Sequence, residues 1–330
     1  MFTAHLEGNV INWQRWLPKR SRALLCIDLS ATHLTVLQVE QCMGQTPKIG
    51  GFYREPLPPG AVVERQIVEF EPLLAQLRDA LQLLPAGAVR AAIAVPTATA
   101  ISKQLEMPAD FSEAEIEELL GFEIEQHIPY PAEEICWDFQ RLALAEGLLA
   151  RVHLVACRRE YVEARAALIS AAGLTPVLVD VENFALQRAF ALLSHQLPAS
   201  AQVVALVDVG EHSLTLTVML RSELLYNREK PRASGGGETL QPLVEQIGRE
   251  LQFFYASSPY NFVDQLLLSG LAASDPDLLR ALRDSTRLEC QLADPLPALT
   301  VAESVDEEQL QSHRYLLLAA IGLAVGSEHW

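Results

Sequence analysis

Apolar and polar positions repeat one pattern at two places in the chain. Residues 203–220 begin with an unbroken run of small and branched apolar side chains that leads into Asp208. A turn follows at Gly210, and alternation resumes at Leu214, Leu216 and Val218. This predicts a buried strand, a tight turn and a half-buried strand, forming a hairpin with an acid at its tip. Gly210 suits a turn that needs φ > 0, or one whose N–H groups approach a ligand such as a phosphate. Residues 23–40 echo the pattern around Asp28, with Ser30, Ala31 and Thr32 in the turn. Two such hairpins predict two related lobes.

Between the hairpins, residues 50–56 read as a third strand. Leu73, Leu74, Leu77, Leu81 and Leu84 form one face of a helix over 70–84, and 91–95 is a buried strand ended by Pro96. The pattern changes at Thr97. A strand at 101–107, a helix, strands at 135–142 and 151–157 and a helix at 160–172 predict a small inserted α+β unit spanning 97–174. Its first helix opens with a Ser112/Glu115 capping box and carries Ile116, Leu119, Leu120, Ile124 and Ile128 on one face. Pro129, Tyr130 and Pro131 stop it. Glu117, Glu118 and Glu125 point outward, where acids complement the helix dipole and keep the face wet; this reading is preferred to a catalytic pair.

A strand at 176–180 and a helix at 183–193 return to the first lobe, which comprises 23–96 and 175–200 with a closing helix at 306–326. The second lobe, 201–305, adds a third strand at 223–230, a helix faced by Leu240, Leu243, Val244, Ile247, Leu251 and Phe254, and a strand at 265–269. Gly235, Gly236 and Gly237 precede that helix. Glycines there either bring N–H groups to a phosphate or nucleotide, or form a plain flexible loop.

A chain of 330 residues with 50% hydrophobic content can bury a large core and favours two domains or one bilobal unit. Its net charge of −17 disfavours nucleic acid as a partner. Five scattered cysteines without Cys-x-x-Cys spacing fit free thiols in a reducing cytoplasm. No apolar run reaches the roughly 20 residues of a membrane-spanning helix. The first residues lack the apolar core of a signal peptide, so export is not expected. Residues 1–22 differ from the rest: Arg15, Lys19, Arg20 and Arg22 stand against Glu7, with Trp13, Trp16 and Leu17 interleaved. This leader reads either as a segment for peripheral contact with a membrane or partner, or as a short arm folded on its own domain.

The duplicated lobes, the acid-tipped turns and the inserted unit resemble the bilobal actin-like (ribonuclease H-like) ATPase fold shared with the division protein FtsA. Four stretches resemble the PilM family of type IV pilus assembly proteins more specifically. They are 123–131 with Asp138-Phe139-Gln140; Val179-Asp180-Val181-Glu182 with Phe184-Ala185-Leu186; 253–261, which contains Ser257-Ser258-Pro259-Tyr260-Asn261; and Leu268-Ser269-Gly270. The resemblance implies a cytoplasmic scaffold, peripheral to the inner membrane through its partners PilN and PilO. It would clamp the N-terminal tail of PilN in a groove of the inserted unit that involves Ile128, Pro129, Tyr130 and Pro131. It further implies ATP and Mg²⁺ between the lobes, with Asp28 and Asp208 near the metal and phosphates and Ser269-Gly270 near the adenosine.

The chain departs from the family pattern at three places. Ser30 stands where the first phosphate turn usually has glycine, Thr35 where a basic residue is often found, and Leu271-Ala272-Ala273 follow Gly270 in a loop that is usually glycine-rich. These departures imply ATP binding that is weak or lost, and turnover is not expected. A nucleotide-independent scaffold of a related pilus or type II secretion system, and an active ATPase of the same fold, are the alternatives. Tyr130 has two readings as well: an aromatic wall of a peptide groove, or packing at the end of the inserted helix.

Overall fold

The computed structural model describes residues 23–40, 47–142, 149–221, 223–232 and 240–326. The leader, Cys42 and Gly235 to Gly237 lie outside the described residues.

The first hairpin is β1 (Ala23–Leu29) and β2 (His33–Glu40), extended antiparallel by β3 (Lys48–Pro56). A two-residue hairpin follows, β4 (Val62–Val63) and β5 (Gln66–Ile67), then α1 (Phe70–Leu83) and β6 (Arg90–Val95), which lies parallel beside β1. The inserted unit is an antiparallel sheet of β7 (Ala100–Pro108), β8 (Ile135–Arg141) and β9 (Leu149–Arg158), with α2 (Glu113–His127) between β7 and β8 in the chain. The chain returns through α3 (Arg159–Ala171), β10 (Thr175–Val181) and α4 (Glu182–Phe190).

The second lobe runs β11 (Val203–Val209), β12 (Ser213–Leu220), β13 (Glu223–Pro231), α5 (Gln241–Ser257), β14 (Gln265–Gly270), α6 (Pro276–Thr286) and β15 (Glu289–Leu292). Strand orders β10-β6-β1-β2-β3 and β15-β14-β11-β12-β13 have the same topology, so the two lobes are duplicates. β16 (Thr300–Val301) extends only the first sheet. β1 and β11 sit inside their sheets with both faces covered, which is why each reads as a nearly continuous apolar run.

Two boundaries differ from the sequence expectation. Helix α3, expected within the inserted unit, buries Val162, Ala166, Leu168 and Ile169 in the same core as Leu25, Ile27, Leu73 and Ile93 of the first lobe. The inserted sheet has its own core, which includes Met107, Ile116, Leu120, Ile124, Val152 and Leu154. An amphipathic stripe shows that a helix is half-buried, not which sheet covers it. The closing helix is also broken, into α7 (Glu307–Ser312), a 3-10 turn (Arg314–Leu316) and α8 (Leu318–Gly326). In α7 only Leu310 is buried, whereas α8 is buried almost throughout, and the break at His313 allows both.

Helix α8 joins the lobes. Ile321, Leu323 and Ala324 pack with Leu24, Cys26 and Ala92 of the first sheet, while Leu318 and Ala319 pack with Val204, Leu206 and Leu267 of the second. Gly322 lets α8 approach α4 so closely that a Cβ there would collide with the Ala185 carbonyl. The four cysteines within the described residues are free thiols.

Candidate functional site

Strand pairing brings matched rows of side chains to the cleft between the lobes. In the first sheet, Asp28 pairs with Thr35, and Thr35 with Arg54. In the second, Asp208 pairs with Thr215, and Thr215 with Glu229. Asp28, Arg54, Glu182, Asp208 and Glu229 line a cavity of about 380 Å³, with Arg165 at its wall. Arg54 Nη1 donates to the Thr35 hydroxyl at 2.6 Å. A guanidinium on the neighbouring strand thus lies beside Thr35, the position where the family pattern often has a basic residue.

The two turns close alike. Ser30 N–H donates to the His33 carbonyl at 3.1 Å, and Gly210 N–H to the Ser213 carbonyl at 2.9 Å. Gly210 does not adopt a positive φ, so that conformational reason for glycine falls away. A side chain there would instead press on Ser213 Oγ, at 2.9 Å from an added Cβ. In the first turn Ser30 Oγ accepts from the N–H groups of Thr32 (3.3 Å) and His33 (2.9 Å) and donates to the His33 carbonyl. The hydroxyl therefore occupies two backbone donors that a glycine would leave without this partner, and Ala31 and Thr32 complete the turn in the cavity lining.

The cleft is rich in carboxylates that resist ionisation. Enclosure pushes Asp28 up to about 6, with Arg54 pulling it down and Asp208 pushing it further up. Asp208 is raised by enclosure too, opposed by its hydrogen bond from Ser269 Oγ at 2.6 Å. Glu182, at the start of α4, is pushed up to about 8 by enclosure and then by Asp28, Asp208 and Glu229. Burial lowers Arg165 to about 10; its guanidinium donates to the carbonyls of Ala94, Tyr161 and Arg65. A bound cation would relieve the three raised acids, and Arg54 offers a counter-charge to an anion. This donor set suits a metal–phosphate ligand. No group of three or more His, Cys, Asp or Glu residues converges as a metal site among the described residues; Asp28 and Asp208 are the cavity acids that would face a hydrated Mg²⁺.

Ser269 is fully buried and its hydroxyl is engaged with Asp208, so it braces that acid. Gly270 does line the cavity. At φ +87° it sits in the left-handed region, and a Cβ would run into the Val209 backbone, so glycine is required on both counts. Leu271 and Tyr315 extend this wall.

In the inserted unit, Ile128 is 1% exposed and part of the core, which corrects its expected place in a partner groove: as the residue capping the C-terminus of α2 it closes that helix onto the sheet. Pro129, Tyr130 and Pro131 are exposed, and the Arg158 guanidinium stands 5.8 Å from the Tyr130 ring centre. Phe122 on α2 is 80% exposed.

Residues 26–244 and 239–328 match the family described as Type IV pilus assembly protein PilM. The chain belongs to this family. Among solved structures it is similar to one titled a PilM-PilN type IV pilus biogenesis complex, at 23% identity and TM-score 0.77, covering 93% of this chain and 98% of that one. It is also similar to ethanolamine utilization protein EutJ from Carboxydothermus hydrogenoformans, at 13% identity and TM-score 0.52, covering 94% of this chain and 90% of that one. The fold is actin-like, and no helix among the described residues is long and apolar enough to cross a membrane.

Several cleft residues of this PilM-family chain escaped the sequence reading. Glu182 belongs to a family-like stretch but read only as part of a signature; as the first residue after β10, a strand parallel to β6 beside β1, it lies at the same sheet end as Asp28. Arg54 and Glu229 carried no motif. Counting register across each predicted hairpin would have missed both by one position, because the β2–β3 and β12–β13 pairings each shift register, between Gln38 and Val39 and between Val218 and Met219.

Proposed function

We propose that this PilM-family chain is a cytoplasmic scaffold of the type IV pilus inner-membrane assembly complex, which captures the N-terminal tail of a PilN-like protein and holds Mg-ATP in its interlobe cleft. The family match over both lobes and the inserted unit carries this reading. Attachment to the inner membrane comes through PilN and PilO, with residues 1–22 as a further peripheral contact.

In the cleft, Arg54 binds phosphate oxygens, Asp28 and Asp208 hold the hydration shell of the metal, and Gly270 with Leu271 and Tyr315 borders the nucleoside. Mg²⁺ supplies charge neutralisation between the carboxylates and the phosphates. On the partner side, Pro129 and Pro131 fix the chain around the exposed Tyr130, a rigid aromatic surface for an extended peptide. The test is calorimetry with Mg-ATP and, separately, with a synthetic tail peptide containing Asn-Leu-Leu-Pro. Saturable binding of the peptide is expected; a chain that ignores it is no PilN receptor.

A nucleotide-independent scaffold is the second reading. Ser30 favours it, because its hydroxyl already satisfies two backbone donors of the first turn. Absence of any heat with Mg-ATP alongside intact peptide binding selects this reading.

A further inference from the structure

The β4–β5 hairpin has the wrong residues for its turn unless one of them is needed elsewhere. Val62 pairs with Ile67 and Val63 with Gln66, leaving Glu64 and Arg65 as a two-residue loop. Both have positive φ, 48° and 71°, the geometry normally filled by Asn, Asp or Gly. The hairpin packs on the first lobe through Val62 and Ile67. Its tip reaches across the cleft: Arg65 Nη2 donates to Glu229 Oε1 of the second lobe at 2.7 Å.

Two further contacts hold this tip in place. Arg165 Nη2 donates to the Arg65 carbonyl at 3.3 Å, and its Nε fixes it to Ala94 of β6 at 2.9 Å. Gln66 Nε2 donates to Glu160 Oε1 at 3.3 Å. On the other side, the second oxygen of Glu229 accepts the Ala98 backbone N–H at 3.1 Å, between β6 and β7 where the inserted unit departs. Glu229 thus grips two parts of the chain at once, and its side chain is only 10% exposed against 43% for Arg65.

We propose that the β4–β5 hairpin is a latch between the lobes, in which Arg65 holds Glu229 across the cleft while the same carboxylate anchors the root of the inserted unit. Opening the cleft then requires releasing that root, so movements of the lobes and of the inserted unit are tied together. The latch needs neither nucleotide nor peptide, and it goes beyond the scaffold reading. A left-handed arginine is kept in the turn because its side chain spans the gap.

Hydrogen–deuterium exchange of the full chain without ligand tests the latch, read at 97–99 and at 210–213. In Arg65→Ala both segments are expected to exchange about two- to fivefold faster, the range an ion pair of this exposure sustains. Arg65→Gly, which relieves the turn backbone, is expected to do the same despite a better hairpin. The exchanged pair Arg65→Glu with Glu229→Arg is expected to restore slow exchange at 210–213. Exchange at the parent rate in both single variants, or a paired variant as fast as Arg65→Ala at 210–213, overturns the proposal. Failure of ATP or peptide binding leaves this readout unaffected.

Discussion

Thr35 and Arg54 stand opposite each other on β2 and β3, joined by a 2.6 Å hydrogen bond from the guanidinium to the hydroxyl. Thr35 in turn pairs with Asp28, so one cross-strand row carries an acid, a hydroxyl and a base into the cleft. The second lobe repeats the row as Asp208, Thr215 and Glu229, with an acid in place of the base. Arg54, on the first lobe's third strand, thus gives that row a positive charge that the second lobe's row lacks.

Arg54→Ala is expected to weaken Mg-ATP binding at least about tenfold in calorimetry, the loss of a charge-assisted hydrogen bond. Arg54→Lys keeps a point charge without the planar fork and is expected to fall between. The same Arg54→Ala change should raise the titration of Asp28 above its present value of about 6, because Arg54 is the group that pulls it down. Parent-like ATP affinity in Arg54→Ala would remove Arg54 from the phosphate site.

The two turns should respond in opposite ways. Ser30→Gly frees the N–H groups of Thr32 and His33, now satisfied by Ser30 Oγ, and is expected to leave ATP binding equal or tighter. Asp208→Ala removes the acid braced by Ser269 and is expected to abolish the heat of Mg-ATP binding. An Asp208→Ala variant that binds Mg-ATP like the parent places the nucleotide elsewhere.

Much of this architecture was legible because buried strands announce themselves as apolar runs. The equivalence of Asp28 and Asp208 needed only the repeated hairpin pattern. The chemistry that arrives by pairing was less visible: Arg54 and Glu229 look like ordinary polar positions until register sets them beside Thr35 and Thr215. Helix α3 was misplaced for a related reason, since Val162 and Ile169 give the same stripe whichever sheet they cover. Ser30 illustrates a third kind of difficulty, because its hydroxyl bonds depend on a turn geometry that composition does not encode.

Glu182 makes stability depend on pH in a calculable direction. Its carboxyl titrates at about 8 in the folded protein against an ordinary value of 4.5, so folding retains a proton that the unfolded chain releases. The stability this proton contributes is complete below about 4.5 and is lost as pH rises through 8. Glu182→Gln cannot ionise and is expected to raise the melting temperature at pH 8 by more than at pH 5. Asp28, risen to about 6, and Asp208, also raised, contribute to the parent's slope, so it is the difference between parent and variant that reports Glu182. Scanning calorimetry from pH 4.5 to 9 makes the measurement; parallel profiles for parent and variant would show that Glu182 ionises freely in the fold.

Ile128 and Tyr130 lie two positions apart and differ sharply in burial. Ile128 is enclosed by Ile116, Leu120, Ile124 and the inserted sheet, whereas the Tyr130 ring is 37% exposed beneath Arg158. Ile128→Ala is therefore expected to cost about 2–5 kcal/mol of stability, the range for emptying a buried Ile or Leu site. It should not alter the affinity of the fraction that remains folded. Tyr130→Ala leaves the core intact and is expected to change the melting temperature little. It should weaken binding of the tail peptide by about 2 kcal/mol or more, because an aromatic anchor between two prolines concentrates contact area at low entropy cost. Calorimetric titration of the peptide and thermal melts of both variants give the two readouts. A Tyr130→Ala chain that melts early and binds the peptide normally would make Tyr130 a packing residue, and the receptor surface would then have to be sought around the exposed Phe122 of α2.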